Sequence, residues 1–268
     1  MIDKTAIIHP SAKIADDAII GQNVTIGANA IIGNGVKIGD NVTIMPNAYL
    51  EYCEIGDGTL ISPFASIGTT PQDLGYKNEP TKSIIGKNCI IKEYATVNRA
   101  ATEGDATIVG DRCLLMTSTH VAHNCVLEDE VIMANLATLG GHCHVGKGAF
   151  LGGMSVFHQN VRIGEMCIIS GFSAARMDCL PYVKGEGRPP IPHGINAIGL
   201  KRRGIPAEVR DHLKEALKIL KSEKYLISKA CDVIEQEIPQ DEYVKKFVQF
   251  IRESKRGITL RKAENTMC

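Results

Sequence analysis

At 268 residues and 44% hydrophobic content, the chain is long enough to bury one large core, or a large and a small one. Thirty basic residues balance thirty acidic ones, so whole-chain charge favours neither nucleic acid nor a membrane surface as a partner. Aromatics make up only 5%, Trp is absent and Gly numbers 26, a profile suited to a thin, regular core of Ile, Val and Ala. No apolar run approaches the roughly 18 residues of a membrane span, so no transmembrane segment is expected. The opening Met1-Ile2-Asp3-Lys4 lacks the hydrophobic stretch of a signal peptide, and a cytoplasmic location is expected.

From the N-terminus an aliphatic residue recurs every six positions: Ile8, Ile14, Ile20, Ile26, Ile32, Ile38, Ile44 and Leu50. After a slip of one residue the series continues at Ile55, Ile61 and Ile67, then at Ile85, Ile91 and Val97. A last run extends from Val109 through Val121, Leu139 and Phe157 to Ile169. An even period keeps phase with strand alternation, whereas a helix drifts out of it. This hexapeptide repeat resembles that of the left-handed parallel β-helix, in which three hexapeptides make one triangular coil and coils stack at about 4.8 Å. The fold expected is therefore mostly β, a left-handed β-helix over 1–195 followed by a C-terminal helical region over 196–268.

Two excursions interrupt the coil, near 68–84 and 98–107; loops on a rigid scaffold often carry function. The repeat fades after Ile169, and Pro181, Pro189, Pro190 and Pro192 are expected to lead out of the solenoid. From Pro206, placed in a first helical turn, the period becomes helical, with Val209, Leu213, Ala216, Leu217 and Leu220 in one stripe. A second helix is predicted over Tyr225–Gln236 and a third over Asp241–Arg252. Together these cap the open end of the solenoid. Thr259–Cys268 reads as frayed.

Cys53, Cys89, Cys113, Cys125, Cys143, Cys167 and Cys179 all fall two residues before an aliphatic or its extrapolated position, a slot otherwise held by small or β-branched residues. They read as small buried side chains in a reduced compartment rather than as disulfides or zinc ligands. The histidines are more informative, since five of the eight lie between His120 and His158. With 18 residues per coil, the column through His123 passes 141 and 159, so His142 and His158 fall within one residue of it. His120 and His144 immediately precede core aliphatics and should point outward. Two readings remain open at this point: chemistry at a histidine cluster, or polar residues on a repetitive surface. Zinc held by histidines is a further alternative, but no carboxylate partner is evident in these segments, and no metal is assigned.

The segments Met1–Pro10, Gln72-Asp73-Leu74 with Glu79-Pro80-Thr81, and His120-Val121-Ala122-His123 resemble UDP-N-acetylglucosamine acyltransferases. So do Gly152-Gly153-Met154 with His158-Gln159, and Gly199-Leu200-Lys201-Arg202-Arg203-Gly204. The resemblance covers nearly the whole chain. It implies a homotrimer of left-handed β-helices with active sites between subunits. The implied reaction moves a (3R)-hydroxyacyl group from acyl carrier protein to the 3-hydroxyl of UDP-N-acetylglucosamine, opening lipid A synthesis in Gram-negative bacteria. The acyl donor rides on the carrier's phosphopantetheine, and no other cofactor is implied. By resemblance His123 is the general base and the backbone N–H of Gly141 the oxyanion donor. His120, His142, His158 and Gln159 surround sugar nucleotide and acyl donor, and Asp73 reaches the site from its loop. Asn196, Arg202 and Arg203 meet the UDP phosphates and the acidic carrier.

The chain departs from the family pattern in places. Asn124 follows His123 where an acidic residue is usual. Gly75 stands where a lysine is common, with Lys77 nearby as a substitute. Gly171 sits where the family sets acyl length, and a glycine there predicts an open groove and a long 3-hydroxyacyl chain. The rival readings are the N-acyltransferase acting later in lipid A synthesis, a hexapeptide acetyltransferase using acetyl-CoA, and a zinc-dependent hydratase or purely structural solenoid.

Overall fold

The structure, a computed structural model, describes residues 1–260. Strands of two to five residues stack into three sheets of eleven, nine and eight strands. The first face runs from Ile7–Ile8 to Ile191–Ile195, the second from Lys13–Ile14 to Ala174–Ala175, and the third from Ile19–Ile20 to Arg162–Ile163. Chain order visits the three faces in turn, and all strand pairs but the last are parallel. The result is a parallel β-helix. A two-residue strand has no stability of its own; its hydrogen bonds go to the coils above and below. The period-six aliphatics fill the interior, where Ile26, Ile32, Ile44, Leu50, Ile61, Leu115 and Leu127 are at most 1% exposed. The residues two positions earlier, including the cysteines, complete that core, and all eight cysteines among the described residues are buried and unbonded.

Beyond the first coil, most corners are turned by a residue in the left-handed backbone region. Asn supplies it at Asn23, Asn29, Asn41, Asn47, Asn88, Asn124 and Asn160, because its short polar side chain tolerates positive φ. On the corner between first and second faces Asn29 and Asn47 give way further along to Phe64, Tyr94, Leu136, Met154 and Phe172, which hold positive φ with exposed apolar side chains. The one-residue slip near Leu50 is absorbed at the Tyr52 corner, after which Ile38 pairs with Ile55.

The two excursions lie between strands Ser66–Thr69 and Lys82–Ile85, and between Thr96–Asn98 and Ala106–Val109. Both leave from the corner between the second and third faces, on consecutive coils. The wall resumes at once, with Lys82 to Ile85 paired residue for residue against Ala106 to Val109. Arg99 ties the two together. Its guanidinium donates to Glu51 Oε1 (2.9 Å), to the Gly68 carbonyl (2.9 Å) and to the Tyr76 hydroxyl (3.0 Å), and lies over the Tyr52 ring.

Although the repeat fades after Ile169, the solenoid continues. Ala174–Ala175 and Val183–Glu186 add another coil, and Ile191–Ile195 folds back antiparallel on Val183–Glu186, so Pro189 and Pro190 sit in a hairpin connection rather than an exit linker. Helix α1 (Ala197–Arg202), too short to show periodicity, was not expected from the sequence. It is followed by α2 (Ala207–Lys221), α3 (Ile227–Glu237) and α4 (Glu242–Arg252). Pro206 is the N-cap of α2, one position before its first turn, and Asp241 caps α4 by accepting from the Tyr243 and Val244 N–H groups. The helices share a second core with Leu180, Tyr182 and Ile195, so the packing changes over before the secondary structure does. The tail then returns to the last coil. Ile258 bridges to Asp178, whose buried carboxylate accepts from the Arg162 N–H and the Ser254 hydroxyl. Thr259 is buried there rather than frayed, its N–H reaching the Asp178 carbonyl; the rest of the expected fray, beyond Leu260, lies outside the described residues. No helix among the described residues is long and apolar enough to cross a membrane.

Candidate active site

His123 sits on the corner between the second and third faces, one coil beyond the two excursions, in the turn joining strand His120–Val121 to strand Val126–Leu127. It is 7% exposed, whereas the other histidines of the cluster are half-buried or exposed. The excursions fold over this corner and cover it.

Hydrogen bonding fixes how His123 is held. The Nδ1 atom lies 3.0 Å from Asn124 Oδ1. The same oxygen accepts the Ala101 N–H at 2.9 Å, and Asn124 Nδ2 donates to Asp105 Oδ2 at 3.0 Å. A backbone N–H only donates and an ionised carboxylate only accepts, so the amide has one permitted orientation. Its oxygen must face the imidazole, and Nδ1 must carry the proton. Nε2 is left with a lone pair. Asparagine thus sets the tautomer that a general base requires, the role expected of the missing acidic residue.

The edge of the ring that bears Nε2 lies against Gly141, one coil above. A Cβ built at Gly141 would come within 2.5 Å of His123 Cε1 and Nε2, so any side chain there displaces the ring. The Gly141 carbonyl accepts from the Asn160 N–H, but its own N–H has no acceptor among the described residues. Some equivalent turn N–H groups elsewhere are capped, as Lys87 is by Asp111 and Gln22 by Asp40. A free backbone donor therefore lies beside the free Nε2.

Asp73 approaches from the first excursion. Its Oδ1 accepts the Gly75 N–H (2.8 Å), which turns Oδ2 toward His123 Nε2 at 3.9 Å. At that separation a hydroxyl set to one side of the pair can lie within hydrogen-bond distance of both carboxylate and imidazole. His142 packs edge-on against His123, ring centroids 5.1 Å apart. Burial, then the adjacent His123, push the His142 imidazole below its ordinary pKa, with Asp105 and Asp73 pulling the other way. His120 points out of the wall as expected, half-buried, with Nδ1 2.7 Å from Thr96 Oγ1. Burial, with His123 second, lowers its pKa too. Both groups are thus biased toward neutral imidazole.

The remaining expected residues are spread over the molecule. His158 does not touch His123; its Nδ1 lies 3.3 Å from the Arg256 guanidinium, and Gln159 beside it is exposed. Gly171 lies on the corner between first and second faces, directly over Gly153, flanked by the exposed Met154 and Phe172. Asn196 caps α1, accepting the Gly199 N–H while donating to the Met166 carbonyl. Arg203 is bound to Glu130 at 2.5 Å on the third corner, while Arg202 is exposed. Lys77 is exposed in the loop. Among the described residues no group of three or more His, Cys, Asp or Glu side chains is arranged to hold a metal. Sequence reasoning missed Asp105, Ala101 and Arg99. The available signal was that both interruptions of the repeat fall at one corner, on the two coils before His123.

Comparison with known proteins gives a consistent picture. A family profile described as UDP-N-acetylglucosamine O-acyltransferase, domain 2, matches residues 178–259, and one described as the GMPPB C-terminal domain matches 2–100. The acyl-[acyl-carrier-protein]–UDP-N-acetylglucosamine O-acyltransferase of Thermodesulfovibrio yellowstonii is 42% identical over 96% of this chain and 98% of its own length. That of Campylobacter concisus is 38% identical over 96% and 99%. Among solved structures, the UDP-N-acetylglucosamine acyltransferase of Bacteroides fragilis superposes with a TM-score of 0.87 at 38% identity, covering 96% of this chain and 99% of that one. The enzyme from Campylobacter jejuni gives 0.88 at 36% identity, covering 95% and 100%.

Proposed function

The chain belongs to the UDP-N-acetylglucosamine O-acyltransferase family, and from that premise we propose that His123 is the general base of an acyl transfer to UDP-N-acetylglucosamine. The donor is a (3R)-3-hydroxyacyl chain on the phosphopantetheine of acyl carrier protein, the acceptor is the sugar 3-hydroxyl, and the step is the first of lipid A synthesis. The observation that carries this reading is the locked His123 tautomer, with Nε2 free between the Asp73 carboxylate and the Gly141 N–H.

In the reaction Nε2 takes the 3-hydroxyl proton as that oxygen attacks the thioester carbonyl. The Gly141 N–H donates to the oxyanion of the tetrahedral intermediate. As the C–S bond breaks, the imidazolium returns the proton to the departing thiol, and an O-ester and free carrier thiol result. No cofactor takes part. Asp73 holds the sugar hydroxyl in place, and His120 and His142, biased toward the neutral form, offer uncharged hydrogen-bonding groups. Gln159, His158 and the exposed Arg202 are placed to meet the sugar nucleotide or the acidic carrier.

The proposed assembly is a homotrimer, and the distribution of these groups supports a site shared between subunits. His123, Gly171 and Arg203 lie on three different corners of one prism, so a single substrate reaches all three only if another subunit supplies some of them. The exposed ladder Leu136, Met154 and Phe172 beside Gly171 offers a long apolar track for the acyl chain, consistent with a long 3-hydroxyacyl donor. We place the enzyme in the cytoplasm, where both substrates are expected. Incubation with UDP-N-acetylglucosamine and 3-hydroxyacyl carrier protein should yield the 3-O-acyl product, and His123→Ala should abolish it. Undiminished product from that variant, or a catalytically active monomer in sedimentation, would sink the reading.

A further inference from the structure

The role of Asn124 raises the question of what gives a neutral amide the strength to hold an imidazolium. The half-buried Asn124 amide is a relay with a carboxylate at its far end. Asp105 Oδ2 accepts from Nδ2 at 3.0 Å, and Oδ1 accepts from His123 Nδ1 at 3.0 Å and from Ala101 N–H at 2.9 Å. A carboxylate drawing on the NH2 hydrogens shifts amide electron density onto the oxygen, and chains of hydrogen bonds polarise one another in this way. When His123 becomes cationic, the negative charge that faces it through Asn124 is that of Asp105.

We propose that Asp105 is a positioning residue for this reaction, acting through Asn124 so that the chain places its carboxylate one hydrogen bond further from the histidine, on the second excursion. This rests on the reading of His123 as general base. The structure favours charge over simple tethering because the backbone already secures the loop: Ala101 N–H binds Asn124 Oδ1, and Thr107 Oγ1 accepts the Asn124 N–H at 2.8 Å. Asp105 is exposed on its outer side, so solvent screens part of its charge and the effect is modest.

The test is a charge swap. Asp105→Asn keeps an acceptor for Asn124 Nδ2 and removes the charge; kcat should fall about five- to tenfold, the usual difference between charged and neutral hydrogen bonds, with KM for UDP-N-acetylglucosamine and the melting temperature unchanged. Asn124→Asp alone sets two carboxylates against each other and should also lose activity. The double variant Asn124→Asp/Asp105→Asn restores one carboxylate and one amide in reversed order, and kcat should return to the parental level or above. Parental kcat in Asp105→Asn, or a double variant no better than Asp105→Asn, overturns the proposal. His123→Ala measured alongside separates the cases: if it retains activity the general-base reading has failed, and if it is dead while the swap has no effect only the relay has failed.

Discussion

Gly141 illustrates how a site depends on what is absent from a side chain. Its φ lies outside the left-handed region, so alanine fits the backbone, yet a methyl group there would occupy the space of the His123 ring. Gly141→Ala should therefore keep its melting temperature while kcat falls about a hundredfold, the scale expected when a catalytic group moves by roughly 1 Å. Circular dichroism melting and a rate assay on one preparation would decide it; a variant with parental kcat would show that the ring is not held against residue 141. At this scale the sequence was legible where it counted by coil. The column of 18 brought 123, 141 and 142 together correctly. It put His158 within one residue of the column, but that shift turns its side chain toward Arg256 instead. The tautomer was not legible, because Asn124 is fixed by Ala101 and Asp105 from a loop whose path no periodicity describes.

The excursions gain their order from Arg99, which is 7% exposed and begins the second loop while gripping the first. Removing a buried cation leaves Glu51 without its ion-pair partner, though still bonded to the Tyr49 hydroxyl, and such losses cost about 3 kcal/mol. Arg99→Met should lower stability by that order in denaturant titration. It should also raise the rate of proteolytic cleavage between Leu74 and Asn78, and reduce kcat as Asp73 loses its fixed approach. Cleavage no faster than in the parent would argue that the loop is ordered without Arg99. Among elements, the long helices α2 to α4 were readable because their apolar stripes keep phase over several turns. Helix α1 is too short for a stripe. The prolines read as an exit from the solenoid because they and a hairpin mask a strand pairing that the backbone still makes at Lys184 and Gly185.

Across the whole molecule, the neutral histidines make stability depend on pH. Burial holds His120 and His142 below the ordinary imidazole value. A group with a depressed folded pKa contributes fully above its unfolded value and loses that contribution as pH falls through the folded one. The melting temperature should thus be level above about pH 6.5 and decline toward pH 5, before the carboxylates titrate. His120→Gln should flatten part of that decline; an unchanged slope would show that His120 is protonated in the fold without cost. The whole-molecule architecture was the most legible feature of all, since a period of six repeated through most of the chain leaves little else to build.

The wall recovers its pairing immediately after each excursion, with Ile85 opposite both Ile55 and Val109. Lengthening or exchanging either loop therefore need not disturb the stack that carries it. What the molecule recognises and what keeps it folded are recorded in separable stretches of the chain, so a lineage, or an engineer, can revise the first without rewriting the second.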